Sequence, residues 1–114
     1  MTLLVEIVTF DCADVKALSE FWMGATGGSV AAEFPGFVLI DAAAIGIPHL
    51  GFQQVPEEKR SKNRVHVDFR TEDRAADVAR LVDLGATVVA EHELPGFAWT
   101  VLQDPEGNEF CVGG

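Results

Sequence analysis

Apolar and polar residues alternate at two places in the chain. Val8 and Phe10 interleave with Ile7, Thr9 and Asp11, and Val65, Val67 and Phe69 interleave with His66, Asp68 and Arg70. A period of two predicts a half-buried strand in each place. Asp14 and Asp73 follow where a helix N-cap would stand, and the spacing then changes. Leu18, Phe21 and Trp22, and later Val78, Leu81 and Val82, recur at helical intervals, and Thr26-Gly27-Gly28 and Gly85 end the two helices. Three short strand-like runs come after each helix. They span about 28–33, 37–42 and 47–54, then about 87–92, 98–103 and 108–112. Turns at Pro35-Gly36, Pro95-Gly96 and Pro105-Glu106-Gly107 separate them.

The order β-α-β-β-β therefore occurs twice, and the residues themselves repeat. Val8, Phe10 and Asp14 have identical counterparts in Val67, Phe69 and Asp73 at an offset of 59. Glu33-Phe34-Pro35-Gly36-Phe37 matches Glu93-Leu94-Pro95-Gly96-Phe97 at an offset of 60, with one difference. Repeats of this kind mark duplicated supersecondary units. The expected fold is α+β: one domain over residues 1–114 made of two tandem β-α-β-β-β modules, about eight strands forming a cup. The first module takes about 1–56, a polar linker about 57–63 and the second module about 64–114. One helix covers one face of a sheet. The residues in phase with Ile7, Thr9, His66 and Asp68 are therefore expected to line the cup.

Composition narrows the class of function. Eighteen Asp and Glu against eight Lys and Arg give a net charge of −10. Such a surface repels phosphate backbones and anionic lipid, so neither a nucleic acid nor a membrane is an expected partner. No apolar run approaches the ~18–20 residues of a spanning helix, and the first residues lack the basic region of a signal peptide. Only two cysteines occur, Cys12 and Cys111, with no CxxC, which fits a reducing, cytoplasmic setting. At 114 residues the chain buries roughly 65% of its unfolded surface and needs no disulfide or structural metal to fold.

A tandem β-α-β-β-β chain that joins its halves at Lys62-Asn63-Arg64-Val65-His66-Val67-Asp68 and ends in Asp104-Pro105-Glu106-Gly107-Asn108-Glu109-Phe110-Cys111-Val112 resembles the vicinal oxygen chelate superfamily. That group includes glyoxalase I, extradiol dioxygenases and bleomycin-resistance proteins, and the closest likeness is to small glyoxalase-like proteins. The resemblance covers almost the whole chain and implies a homodimer. In the metal-dependent members each half supplies two ligands, one on its first strand and one on its last. Those places fall on Ile7 and His66, near Gly51 (with Gln53 two residues on), and on Cys111. Only His66 is a usual ligand at its expected place. The expected reading is a cup without the full metal set and no cofactor. The alternative cofactor is a divalent metal held through His66.

Six residues are candidates for binding a small organic molecule: Thr9, Gln53, His66, Asp68, Trp99 and Cys111. His66 is either a bonded, partly buried histidine or a hydrogen-bond partner oriented by Asp68. Trp99 lies in a run apolar on both faces, so core and cup wall both stand open. Cys111 reads as a small buried hydrophobe, with no neighbouring base to make it a nucleophile. Lys59, Arg60, Lys62 and Arg64 are either a solvated linker or a positive rim that guides an anion, while His49 and His92 read as surface residues. The leading function is a glyoxalase-like small-molecule-binding protein. The rivals are a metal-dependent or His/Asp-dependent lyase, isomerase or dioxygenase, and a regulatory partner with no ligand.

Overall fold

In the computed structural model, residues 2–42 and 46–114 are described; Met1 and residues 43–45, all in the expected first module, lie outside them. The elements run β1 (Ile7–Cys12), α1 (Val15–Thr26), β2 (Ser29–Phe34), β3 (Phe37–Asp41), β4 (His49–Gln54), β5 (Val67–Arg70), α2 (Arg74–Leu84), β6 (Thr87–Leu94), β7 (Phe97–Gln103) and β8 (Glu109–Gly113). They form two four-stranded sheets with the same plan, β1-β4-β3-β2 and β5-β8-β7-β6. In each, the first strand runs parallel to the last and the other pairings are antiparallel. The expected α+β architecture of tandem β-α-β-β-β units is therefore what the chain adopts. The units divide between Glu58 and Lys59.

Both helices begin and end as their residues dictate. The Asp14 carboxylate accepts from the Ala17 amide at 3.0 Å, and Asp73 accepts from Ala76 at 3.1 Å, each satisfying an amide with no intrahelical partner. Gly27 and Gly85 stop the helices at φ 73° and 124°, backbone that a side chain disfavours.

In the first unit, α1 packs on β3 and β4. Leu18, Phe21 and Trp22 meet the sheet face that carries Val38, Ile40, Leu50 and Phe52, all buried. The Phe10 ring sits 5.2 Å from both Trp22 and Phe52, so alternation in β1 feeds an aromatic core. The second unit is thinner. Helix α2 contacts β7 and β8, but Leu81 is its one buried residue. Val82, expected on the core side, is exposed, and Val65 lies outside β5 at 80% exposure. Thr100 is completely buried beneath α2, and the Arg74 guanidinium donates to its hydroxyl at 2.8 Å.

The two sheets share one irregularity. The register slips between Val30 and Ala32 in β2 and between Val88 and Ala90 in β6. Before the slip, Val30 and Val88 oppose Ile40 and Leu102 on the helix side; after it, Ala32 and Ala90 oppose Leu39 and Val101 on the other side.

Candidate functional site

Each sheet gives one face to its own helix and turns the other away. On the second sheet the register fixes what stands on that open face. Asp68 of β5 lies opposite Cys111 of β8, which lies opposite Val101 of β7, which lies opposite Ala90 of β6. His66 comes two residues before Asp68, just ahead of the strand, and its Nε2 is 3.5 Å from Asp68 Oδ1. One donor atom each from His66, Asp68 and Cys111 lies within 4.8 Å of the others. Cys111 is free and only 7% exposed. Burial pushes its thiol pKa up, Asp68 adds to the rise by hydrogen bonding and by its charge, and Lys62 opposes it.

The first residues of the second unit fold against the same face. Glu109, 8% exposed, accepts from the Asn63 amide at 2.7 Å and from Lys59 Nζ at 3.3 Å. Burial raises the Glu109 pKa, but the Asn63 amide and then Lys59 outweigh it, and the carboxyl rests below its ordinary value. Lys59 also donates to the Ser61 carbonyl. A carboxylate on the last strand thus straps the basic segment over the sheet. Beside the strap is an open cleft of about 630 Å³, lined by Lys59, Arg60 and Lys62 and by His92, Val101 and Gln103. The turn that leads into β8 is built by buried Asp104. Its Oδ1 accepts from the amides of Glu106 at 2.9 Å and Asn108 at 3.0 Å, so this motif organises the backbone.

Trp99 stands on the open face, in phase with Val101 and opposite Gly113 and His92. His92 stacks on it at 5.1 Å and Phe97 at 5.5 Å, a row of three rings. Gly113 leaves room for that row, since an added Cβ would lie 2.9 Å from Phe97 Cζ. His92 is exposed, as expected of a surface residue, and the match of β6 to β7 pairs it with Trp99. The strap is a contact across 46 to 50 residues and left no mark in local sequence.

Thr9 and Gln53 lie on the first sheet. Thr9 pairs with Gly51, and Gln53 pairs with Asp11 and Phe37; both candidates are exposed. The structure therefore brings His66, Asp68 and Cys111 together and places Trp99 further along the same face of the second sheet, with Thr9 and Gln53 on the sheet of the other unit.

A family model described as a glyoxalase-like domain matches residues 7–113. The chain belongs to the glyoxalase-like family. No curated protein matches it. Solved structures share its fold. One is a glyoxalase/bleomycin resistance protein/dioxygenase family enzyme from Burkholderia phytofirmans, 22% identical over 95% of each chain with a TM-score of 0.79. Another is lactoylglutathione lyase from Agrobacterium tumefaciens, 21% identical over 96% of this chain and 92% of that one, TM-score 0.71. A third is a fosfomycin resistance protein from Mesorhizobium loti, 15% identical over 99% of this chain and 92% of that one, TM-score 0.76. At these identities the likeness is one of fold.

The metal arrangement expected of the superfamily, with donors from both halves, does not fit this glyoxalase-like protein. Ile7 offers only hydrocarbon. Gly51 offers no side chain, and a Cβ added there would lie 2.9 Å from Thr9 Oγ1 and 3.1 Å from Phe37 Cζ.

Proposed function

We propose that this glyoxalase-like protein binds a small organic molecule on the open face of its second sheet, and that binding rather than the superfamily's two-half metal chemistry is its activity. The observation that carries this reading is the open cleft beside the strap, whose volume of about 630 Å³ lies within the usual range for small-molecule sites. Val89, Ala90 and Val101 supply apolar wall, Gln103 supplies a donor and an acceptor, and Arg60 and Lys62 supply positive charge at the rim. His66, Asp68, Trp99 and Cys111 continue the same face beyond it. Thr9 and Gln53 stand on the sheet of the first unit and are not part of this proposed lining.

Basic side chains at the rim of an acidic protein favour an anionic ligand such as a small carboxylate or phosphonate. No helix among the described residues is long and apolar enough to cross a membrane. The net charge of −10 supports a protein that acts on neither nucleic acid nor anionic membrane, and two cysteines outside any disulfide support a cytoplasmic setting. Homodimer formation is part of the same reading, supported by the exposed apolar residues of edge strands β2 and β6.

The test is a calorimetric and thermal-shift screen of small organic acids, aromatic and aliphatic, against the full chain. A ligand with micromolar affinity should raise the melting temperature and lose affinity by about tenfold or more in Gln103→Ala, the loss of one polar anchor. A panel that leaves the melting temperature unchanged, or binding indifferent to Gln103→Ala, Arg60→Ala and His66→Ala, overturns the reading.

A further inference from the structure

We propose that the ligand of the second sheet is a planar aromatic acid, whose ring stacks on the His92 imidazole while its anionic group meets Arg60 and Lys62. The inference rests on the binding reading above and adds the class of ligand and the residue that selects it.

The rings are assembled before any ligand arrives. Register pairs His92 of β6 with Trp99 of β7, and both leave the open face of the sheet. Their ring centroids are 5.1 Å apart with the planes inclined by 26°, and Phe97 extends the row from Trp99 at 5.5 Å and 29°. These are the separations of offset-stacked rings. Gly113, opposite Trp99 on β8, keeps the space for them, since an added Cβ would lie 2.9 Å from Phe97 Cζ and 3.5 Å from Trp99 Cβ. Stacking hides part of each ring, yet His92 and Phe97 remain exposed.

The row reaches the cleft at His92. Trp99 covers one face of the imidazole, while His92 is exposed and lines the cleft, so a flat molecule lying there can take the other face. Ala90 and Val101, partners in the register, stand beside it in the same lining. Their short hydrocarbon side chains offer a floor for a ring and no hydrogen bond. The opposite end of the cleft fixes the charge. Lys59 is paired with Glu109, whereas among the described residues Arg60 and Lys62 make no ion pair. Glu106 is the one further carboxylate of the lining, so two cations stand against one anion and favour a ligand that brings negative charge.

The experiment compares a naphthalene carboxylate with its saturated decalin counterpart by calorimetry on the full chain. Both carry one charge, and burial of hydrocarbon alone favours the saturated acid. Stacking should instead make the aromatic acid bind about three- to tenfold more tightly. His92→Leu keeps bulk and loses the ring, so the preference should vanish; His92→Phe restores a ring and should restore it. Arg60→Ala combined with Lys62→Ala should weaken both acids and leave their ratio unchanged. In proton NMR the aromatic acid should shift the His92 imidazole signals upfield, with those signals identified by their loss in His92→Phe. A saturated acid that binds as tightly, a preference that survives His92→Leu, or unmoved His92 signals at saturation overturns the inference and leaves the binding reading standing. So does a screen whose ligands are all non-planar. A screen with no ligand of any kind overturns the binding reading and the inference with it.

Discussion

Glu109 and Cys111 stand two residues apart on one face of one strand, and their neighbours hold them in opposite states of charge. Glu109 faces Lys59 and the Asn63 amide and stays ionised, whereas Cys111 faces Asp68 and stays protonated despite Lys62. Removing the Glu109 charge should loosen the strap. Glu109→Gln keeps an acceptor for the Asn63 amide but loses the ion pair with Lys59, for an expected cost of about 1–3 kcal/mol at neutral pH in chemical denaturation. The folded pKa of Glu109 is lowered, so its contribution is complete above the ordinary carboxylate pKa and disappears as pH falls through the folded value. The gap between wild type and variant should therefore close in acid. A gap that widens in acid contradicts the assignment. For Cys111 the sign is opposite. Its alkylation at neutral pH should be slow and should quicken in Asp68→Asn, followed peptide by peptide to separate it from Cys12.

At the scale of elements, what was legible is what depends on neighbours in sequence. Asp14 and Asp73 announced both helix starts, because a cap bonds an amide three residues on. Asp14→Ala and Asp73→Ala should each cost about 1 kcal/mol. Leu18→Ala, fully buried, should cost about 2–5 kcal/mol, while Val82→Ala should stay within about 0.5 kcal/mol, all read from denaturant midpoints. Helical spacing gave Val82 the same sign as Leu81, yet the thin packing of α2 buries only Leu81. Alternation served β1 and β5 but not β6, where the slip between Val88 and Ala90 reverses the faces midway. It was silent for β7, whose two faces are both apolar, and only pairing with β6 and β8 put Trp99 on the open side. The site was half legible for the same reason. His66 and Asp68 declared themselves by phase, and Cys111 only through the family resemblance. The strap that lines the cleft depends on long-range bonds to Glu109 that no local pattern encodes.

At the scale of the whole molecule, the repeat and the net charge act against each other. The duplicated hairpin places Phe34 in β2 and Leu94 in β6 at equivalent positions, exposed by 61% and 58%. Both residues are on strands at the edge of a sheet, where unpaired backbone and apolar side chains favour a second copy of the chain. A charge of −10 on each chain opposes that association through repulsion over distances that salt shortens. If apolar edges drive pairing, sedimentation at micromolar concentration should show a dimer that tightens as salt rises. Pairing through opposite charges would weaken instead. Phe34→Ser combined with Leu94→Ser should shift the chain to monomer without a large loss of fold stability, since neither side chain belongs to the core. A monomer at every salt concentration would remove the dimer from the reading and leave the repeated apolar edge as a ligand-facing or partner-facing surface of the single chain.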